Sequence, residues 1–328
     1  MTRRELSDDE WALIEPLLPI GRFGPYPQRL RDQVEGVIWR FRTGSQWREM
    51  PAEFGPWQTV YDAFARWREA GVFAALMDAM IAEAARRGQA DLSLGSVDST
   101  SVRAHQDAAG MRLDPQVLEA LEKAAAEEKG AATGQTAPLS DEEQNAAEQR
   151  RWVRRRRRAR LTAAALGRSR GGLTGKVHLS ADRWCRPLSF VLTPGQAGDS
   201  PQFAAVLAKV KVRGPVGRPR TRPDAVAADK AYSSRANRAH LHKRGIKAVI
   251  PEKTDQAAHR KKRGSAGGRP VAFDAELYKE RNTVERCINK IKIWRGLAMR
   301  SDKKPESYLA GLQLRGALIW IRSLKPTA

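Results

Sequence analysis

Four residues between Tyr278 and Lys292, in the stretch YKERNTVERCINKIK, have the side-chain types that phosphoryl chemistry uses. No Pro or Gly interrupts the stretch and good helix formers fill it, so the sequence predicts one continuous helix. At about 100° per residue, Tyr278, Arg281, Glu285 and Lys292 fall within roughly 60° of arc. Val284, Ile288 and Ile291 mark an adjacent apolar stripe that would dock the helix on a core. One acid therefore sits among an aromatic hydroxyl and two cations on a rigid element. A surface i,i+4 pair explains Arg281 with Glu285, but not Tyr278 and Lys292 on the same face. Two more acids sit on strand signals: Asp98 in DLSLGSVDSTSVRA and Asp229 at the end of DAVAAD. A lone Asp near a strand is ordinarily a turn or cap residue, so these matter only if the fold brings them to Glu285.

Three carboxylates are a donor set for hard divalent cations, which take oxygen ligands and retain waters. Two such ions about 4 Å apart activate the attacking hydroxyl and stabilise the leaving oxygen of a phosphodiester. In that scheme Asp98 bridges two Mg²⁺ or Mn²⁺ ions, Asp229 holds one and Glu285 the other. Arg281 and Lys292 neutralise phosphates, and Tyr278 hydrogen-bonds a phosphate or the Glu285 carboxylate.

The rest of the chain suits a polyanionic partner. It has 328 residues, 59 Lys and Arg against 37 Asp and Glu, and a formal net charge of +22. DNA is the first candidate. A membrane surface is not, because no basic amphipathic helix with a bulky apolar face stands out. Cys185 and Cys287 are too few for a Cys zinc site or a disulfide framework, which fits a reducing cytoplasm, with the protein on the nucleoid. MTRRELSDDE has no apolar segment of signal-peptide type. The apolar run Leu309–Leu324 carries Arg315 and Arg322 and reads as a buried helix.

Residues 1–88 read as helical. Ser7 and Glu10 form a capping box, Leu30 to Arg42 is a helix closed by Gly44, and GRFGPYP is a loop between them. QWREMPAEFGPW supplies a short helix and a Gly-Pro break before a helix from Thr59 to Glu69. Val60, Phe64 and Trp67 form its apolar face, with Gln58, Thr59, Asp62, Arg66 and Arg68 turned elsewhere. This resembles a helix-turn-helix whose second helix, through Gln58 and Thr59, reads DNA; a structural bundle is the plainer alternative. Val72 to Arg87 is a further helix.

Residues 89–328 alternate strands and helices. After Asp98, residues 105–167 form a helical insertion. It holds an acidic helix, a Gly/Thr/Ala/Pro linker and a second helix capped by Ser140 and Glu143. That helix carries eight Arg between Arg150 and Arg160, including Arg154, Arg155, Arg156, Arg157 and Arg158. The run can neutralise phosphates without reading bases, or pair with the acidic helix. Leu173–Ala181 and Pro187–Thr193 form a hairpin around DRWCR. A helix follows with Ser200 as N-cap, Pro201 at its first position and Asp199 beside the cap, a metal-shell role being the alternative for Asp199. KVRGPVGRPRTRP is a basic loop. Then come the strand ending at Asp229, a helix, the strand IKAVIP, the basic Gly-rich loop HRKKRGSAGGRP, the Glu285 helix and an amphipathic helix from Pro305 to Leu324. His105, His178 and His242 read as packing residues, Trp184 as a hairpin-tip residue, and Trp294 as core or a base-stacking residue.

Three antiparallel strands followed by αβαβα is the order of a ribonuclease-H-like domain: a mixed five-stranded sheet whose first and fourth strands are neighbours. Asp98 and Asp229 then share one sheet edge, with Glu285 supplied by a covering helix.

The pattern Tyr-x2-Arg-x3-Glu-x6-Lys resembles the signature of bacterial insertion-sequence DDE transposases, the insertion-sequence-five family in particular. VDSTSVRAHQDAAG, GRSRGGLTGKVHLSADRWCRPLSFVLTPGQAGDSPQF and ADKAYSSRANR agree with it, as do LSDDEWALIEPLLP and TGSQWREMPAEFGPWQTVYDAFARW at the N-terminal end. The resemblance implies catalysis by Asp98, Asp229 and Glu285, two divalent metals per site, binding of terminal inverted repeats and transfer of 3′-hydroxyl ends into target DNA. Because two ends must meet, a homodimer on DNA is expected. The 105–167 insertion departs from the family pattern. A transposase-derived regulator without catalysis and a structure-specific nuclease or junction resolvase of the same fold are the alternatives. The first leaves three converging acids without a use, and a strand-transfer assay separates the second.

Overall fold

The computed structural model describes residues 5–20, 27–127, 141–169 and 171–324, with side chains of 124–127 and 141–147 excepted. The GRFGPYP loop, the Gly/Thr/Ala/Pro linker and the Ser140 cap lie outside or mostly outside these residues.

Helix α1 (Asp8–Ile14) begins at the expected capping box: Ser7 Oγ accepts from the Glu10 N–H and Glu10 from the Ser7 N–H. Helix α2 (Leu30–Thr43) ends at Gly44, whose φ of 76° is the left-handed value glycine adopts without strain. The predicted short helix before the break is two 3-10 turns, Trp47–Glu49 and Ala52–Phe54, because Pro51 and Pro56 lack the N–H groups that would extend a helix. Helices α3 (Trp57–Glu69) and α4 (Val72–Arg86) follow. On α3, Val60, Phe64 and Trp67 are buried and Gln58 and Thr59 exposed. Arg68 departs from the expected outward face: its guanidinium donates to Ser307 Oγ at 2.9 Å, drawn in because Ser307 offers a buried acceptor.

Strand β1 (Leu94–Ala104) crosses the centre of the sheet. The insertion contributes a 3-10 turn (Gln106–Ala109), α5 (Pro115–Glu127) and α6 (Asp141–Ala163), which pack on each other, with Leu118 and Ala159 buried. Strands β2 (Gly167–Ser169), β3 (Gly172–Ala181) and β4 (Pro187–Pro194) come next. Asp182 builds the β3–β4 turn: its Oδ1 accepts from the N–H groups of Trp184 and Arg186. Helix α7 (Phe203–Ala208) leads to β5 (Ala225–Ala228), α8 (Arg235–Lys243) and β6 (Lys247–Val249). The expected basic loop is partly α9 (Thr254–Lys262), since HRKK has no helix breaker before Gly264.

The Glu285 segment is two helices, α10 (Ala275–Lys279) and α11 (Asn282–Lys292). At the joint, Arg281, Thr283 and Val284 each donate to the carbonyl three residues back, a 3-10 tightening that local propensity does not encode. After α12 (Arg295–Ala298) and β7 (Met299–Arg300), α13 (Pro305–Ile321) closes the chain. It is buried on nearly all sides rather than amphipathic, because α4 covers one flank and β4 another. Close packing on α2 uses two glycines: a Cβ at Gly311 would enter the Phe41 ring, and one at Gly296 would meet the Phe41 carbonyl at 2.7 Å.

The five main strands lie in the order β4-β3-β1-β5-β6, with β3 antiparallel to β1 and to β4, and β5 parallel to β1 and to β6. This is the ribonuclease-H-like arrangement expected. The sheet has seven strands rather than five because β2 adds to β3 and β7 to β1. One hydrophobic core runs from Leu6 through the sheet to Ile321, joining the N-terminal helices to the rest.

Candidate active site

The β1–β5 ladder fixes two of the acids. Its last parallel pair is Val97 with Ala228, and the next residue on each strand is an acid, Asp98 and Asp229. Neighbouring strands are about 4.8 Å apart, so both carboxylates leave the same end of the same strand pair. Residues Ala225–Ala228 are wholly buried, as a central parallel strand requires. Asp229 Oδ1 accepts from the Ala231 N–H at 2.8 Å, which ends the strand and starts a 3-10 turn, Lys230–Tyr232. Asp98 stays in the ladder opposite Leu179, and its Oδ1 accepts from the Ser99 N–H at 2.8 Å.

Glu285 arrives on α11. Thr283, Val284, Cys287 and Ile291 bury one face of that helix against the sheet. Thr283 Oγ1 donates to Ser96 Oγ at 2.9 Å, inside the core and two residues from Asp98. Lys292 Nζ reaches Thr100 Oγ1 at 2.6 Å and the Ser101 carbonyl at 3.2 Å. Ser96, Asp98 and Thr100 alternate onto one face of β1, and that is the face α11 covers. Arg281 bridges the acids, its guanidinium donating to Asp98 Oδ2 at 3.4 Å and also to Glu285 Oε1.

The structure thus gathers Asp98, Asp229, Glu285 and Arg281. Lys292 lies further along β1, bonded to strand atoms. Tyr278 packs on Leu94, Ala225, Ala227 and Val249, with Phe273 at 5.3 Å, and makes no hydrogen bond to Glu285. Tyr278 meets Arg281, whose guanidinium lies 6.0 Å from its ring, rather than Glu285, since the arc of a continuous helix no longer applies across the break at Glu280 and Arg281. Burial pushes the Asp98 carboxyl up from its ordinary value. The Ser99 N–H and Arg281 oppose that shift, and the charges of Asp229 and Glu285 add to it. One guanidinium cannot neutralise three carboxylates, so the cluster calls for further positive charge.

The other face of β1 carries a network that sequence patterning missed. Asp199 Oδ1 accepts from Ser99 Oγ at 2.7 Å and from Lys176 Nζ at 3.0 Å. His178 stands opposite Ser99 in the ladder and pairs with Thr193 Oγ1 at 2.8 Å. Asp199 was expected to help cap a helix beside Ser200. Neither side chain caps it: residues Ser200–Gln202 form a 3-10 turn without a side-chain cap, and Ser99 and Lys176 attract the Asp199 carboxylate instead. Asn237 binds Ser200 and the Tyr232 carbonyl, tying the Asp199 segment to the turn after Asp229. The strand period was the available signal, since it puts Ser99, Lys176 and His178 on one face.

Trp294 is buried under the Arg315 guanidinium at 5.0 Å, which excludes base stacking, whereas Trp184 is 63% exposed at the hairpin tip. Of the Arg run, Arg154, Arg155, Arg157 and Arg158 are exposed, while Arg156 faces Glu122 at 3.8 Å. The insertion helices therefore do pair, through one described ion pair and a small apolar seam. Both cysteines are free and buried.

A ribonuclease-H-like sheet with one carboxylate within its first strand and a second beside it at the end of the fourth defines a class of polynucleotide-cleaving and strand-transferring enzymes. Residues 89–310 match the model of the transposase DDE domain, and residues 6–77 that of a putative transposase of the IS4/5 family. The chain belongs to the DDE transposase family. It is 30% identical over 198 residues to a putative transposase for insertion sequence element IS402 from Burkholderia cepacia, covering 60% of this chain and 83% of that one. A putative transposase for insertion sequence element IS6501 from Brucella ovis is 31% identical over 150 residues, 46% of this chain and all of the relative. A solved Mos1 strand transfer complex aligns over 92% of this chain and 79% of its own at 13% identity and a TM-score of 0.24, too low to bear on the fold. The fold rests on the strand order.

Proposed function

We propose that this chain is the transposase of a bacterial insertion sequence of the insertion-sequence-five type, acting through Asp98, Asp229 and Glu285. The observation that carries the reading is the β1–β5 register, which sets two acids side by side while Arg281 links Asp98 to the third.

The residues fit a divalent metal site. All three donors are carboxylates, and a guanidinium already sits where positive charge is wanted between Asp98 and Glu285. Among the described residues no three His, Cys, Asp or Glu side chains converge on one point, so each ion would draw on two acids and keep its waters. Asp98 and Asp229 would hold one Mg²⁺ or Mn²⁺, and Asp98 and Glu285 the other. Bound, the ions activate the attacking oxygen and stabilise the leaving one. Arg281 and Lys292 would bind phosphate oxygens, and Tyr278 would shape the pocket beside them.

In the first step a water oxygen bonds to phosphorus and the P–O3′ bond breaks, leaving a 3′-hydroxyl on the element end. In the second, that hydroxyl attacks a target phosphodiester and expels a target 3′-hydroxyl. The exposed faces of α3, at Gln58 and Thr59, and α6, at Arg154 to Arg158, would hold duplex DNA. A homodimer would bring two ends together. Residues 1–88 would act as the DNA-binding region, and 89–328, carrying the 105–167 insertion, as the catalytic region. No described helix is long and apolar enough to cross a membrane.

The test is cleavage and joining of DNA carrying the element's own ends, with Mg²⁺ or Mn²⁺. Asp98→Ala, Asp229→Ala and Glu285→Ala should each abolish cleavage while end binding survives. Near-normal cleavage by any of them would remove that residue from the site, and cleavage without joining would favour a nuclease.

A further inference from the structure

A second basic feature, separate from α3 and α6, lies on the β6 side of the sheet. Helices α8 and α9 and the 3-10 turn Gly264–Gly267 enclose a cleft of about 690 Å³. Arg235, His242, His259 and Arg263 line it and are exposed, and their side chains make no hydrogen bond or ion pair among the described residues. The cleft's one acid, Glu252, is already matched by Arg260 at 3.1 Å. Arg238 is held by the Ser233 hydroxyl and the Ile250 carbonyl. The structure therefore spends two guanidiniums on building the cleft and leaves two more, with two imidazoles, facing open space.

The cleft adjoins the turn that Asp229 begins, through Ser233 at the end of that turn. Ser233 lines the cleft, four residues after Asp229, and Gln256 of α9 is fixed to Ser233 through the Ser233 hydroxyl and carbonyl, at 3.2 and 2.8 Å. The cleft is thus tied to the chain segment that follows Asp229 rather than carried on a detached arm. Guanidinium groups bind phosphate oxygens in bidentate pairs, and a row of them along a groove suits a regularly spaced polyanion. We infer that this cleft binds the phosphodiester backbone of a DNA strand running past Asp229, through Arg235 and Arg263.

The inference rests on the proposed transposase reading for the identity of the polyanion, and it is tested without cleavage. Binding of the full chain is measured without divalent metal from 50 to 200 mM salt, using three duplexes: an element end with flanking DNA, the same end without the flank, and an unrelated sequence. Each lost phosphate contact reduces the logarithmic salt slope by about 0.9, so Arg235→Ala/Arg263→Ala should flatten it by about 1.8. Relative to the parent protein, that is about a 12-fold change in affinity ratio across the range. Flattening only with the flank identifies donor DNA as the occupant, and flattening only with the unrelated duplex identifies target DNA. An unchanged slope in all three arms overturns the inference. So does equal flattening by Lys303→Ala/Lys304→Ala, an exposed pair that lines no part of the cleft. Flattening in a protein that never cleaves would leave the cleft standing and remove the catalytic reading.

Discussion

The hydrogen bond between Thr283 and Ser96 is the sharpest test of how Glu285 is positioned. Ser96 is fully buried and Thr283 nearly so, and each hydroxyl has the other as its described partner at 2.9 Å. Thr283→Val keeps the side-chain shape but leaves the Ser96 hydroxyl in the core without a partner. Such an orphan costs about 1–3 kcal/mol, more than the net worth of the bond itself. Ser96→Ala strands the Thr283 hydroxyl at a similar cost. The double variant Ser96→Ala/Thr283→Val removes both polar groups together, and it should lie within about 1 kcal/mol of the parent.

The cycle therefore predicts a coupling of at least about 1 kcal/mol, the sum of the two single effects less the small effect of the double variant, read from urea unfolding followed by tryptophan fluorescence. Because Thr283 precedes Glu285 by two residues, DNA cleavage should follow the same order, with the double variant more active than either single one. Destabilisation of the double variant by the sum of the single effects would refute the reasoning. It would mean that α11 is held by its apolar face alone.

Two further expectations concern the opposite face of β1. Asp199→Ala should lower cleavage about tenfold with the fold intact. Asp199→Asn, which still accepts from Ser99 Oγ, should keep most of the activity, and equal loss in both would point to the Lys176 charge instead. Burial holds the His178 imidazole down to about 4, Lys176 adding to the effect and Asp199 opposing it. The unfolded chain therefore takes up a proton near pH 6.5 that the folded chain refuses. Stability is complete above that pH and falls as the pH drops toward 4, by up to about 3 kcal/mol. The pH dependence of the urea midpoint should flatten over this window in His178→Asn.

Features governed by neighbours in sequence were legible beforehand. The Ser7 capping box, the Gly44 helix end and the β3–β4 hairpin each depend on a few adjacent residues. The adjacency of the first and fourth strands came instead from the order of elements, which is that of a ribonuclease-H-like domain, and with it the pairing of Asp98 and Asp229. Contacts between distant residues were not legible. The Ser99–Asp199 bond spans 100 positions, and nothing in PGQAGDSPQF announces it. The short strands β7 (Met-Arg) and β2 (Gly-Arg-Ser) hold no β-branched residue to mark them, unlike the equally short β6 within IKAVIP. The turn at Glu280 and Arg281 interrupts a stretch rich in helix formers, so propensity overlooked it. Arg315 lies in the core because the Lys290 carbonyl and the Trp294 face receive it, partners that no pattern within α13 reveals.

The three acids are held in unequal ways, and the difference bears on how the site would assemble. Asp98 and Asp229 leave adjacent, hydrogen-bonded strands, and each has an Oδ1 fixed by a backbone N–H. Their backbone spacing cannot change without breaking the ladder. The network of Asp199, Ser200 and Asn237 braces the residues that follow both of them. Glu285 sits on a helix surface with its side chain 47% exposed, and its described side-chain partner is Arg281. Arg281 in turn sits at the joint between α10 and α11, where the backbone has already left the α-helical pattern. Rotation of that one side chain would release Glu285 and uncover Asp98 together, without moving the sheet. The Asp pair is thus built into the fold, and the third acid is governed by a single cation that a phosphate group could draw away.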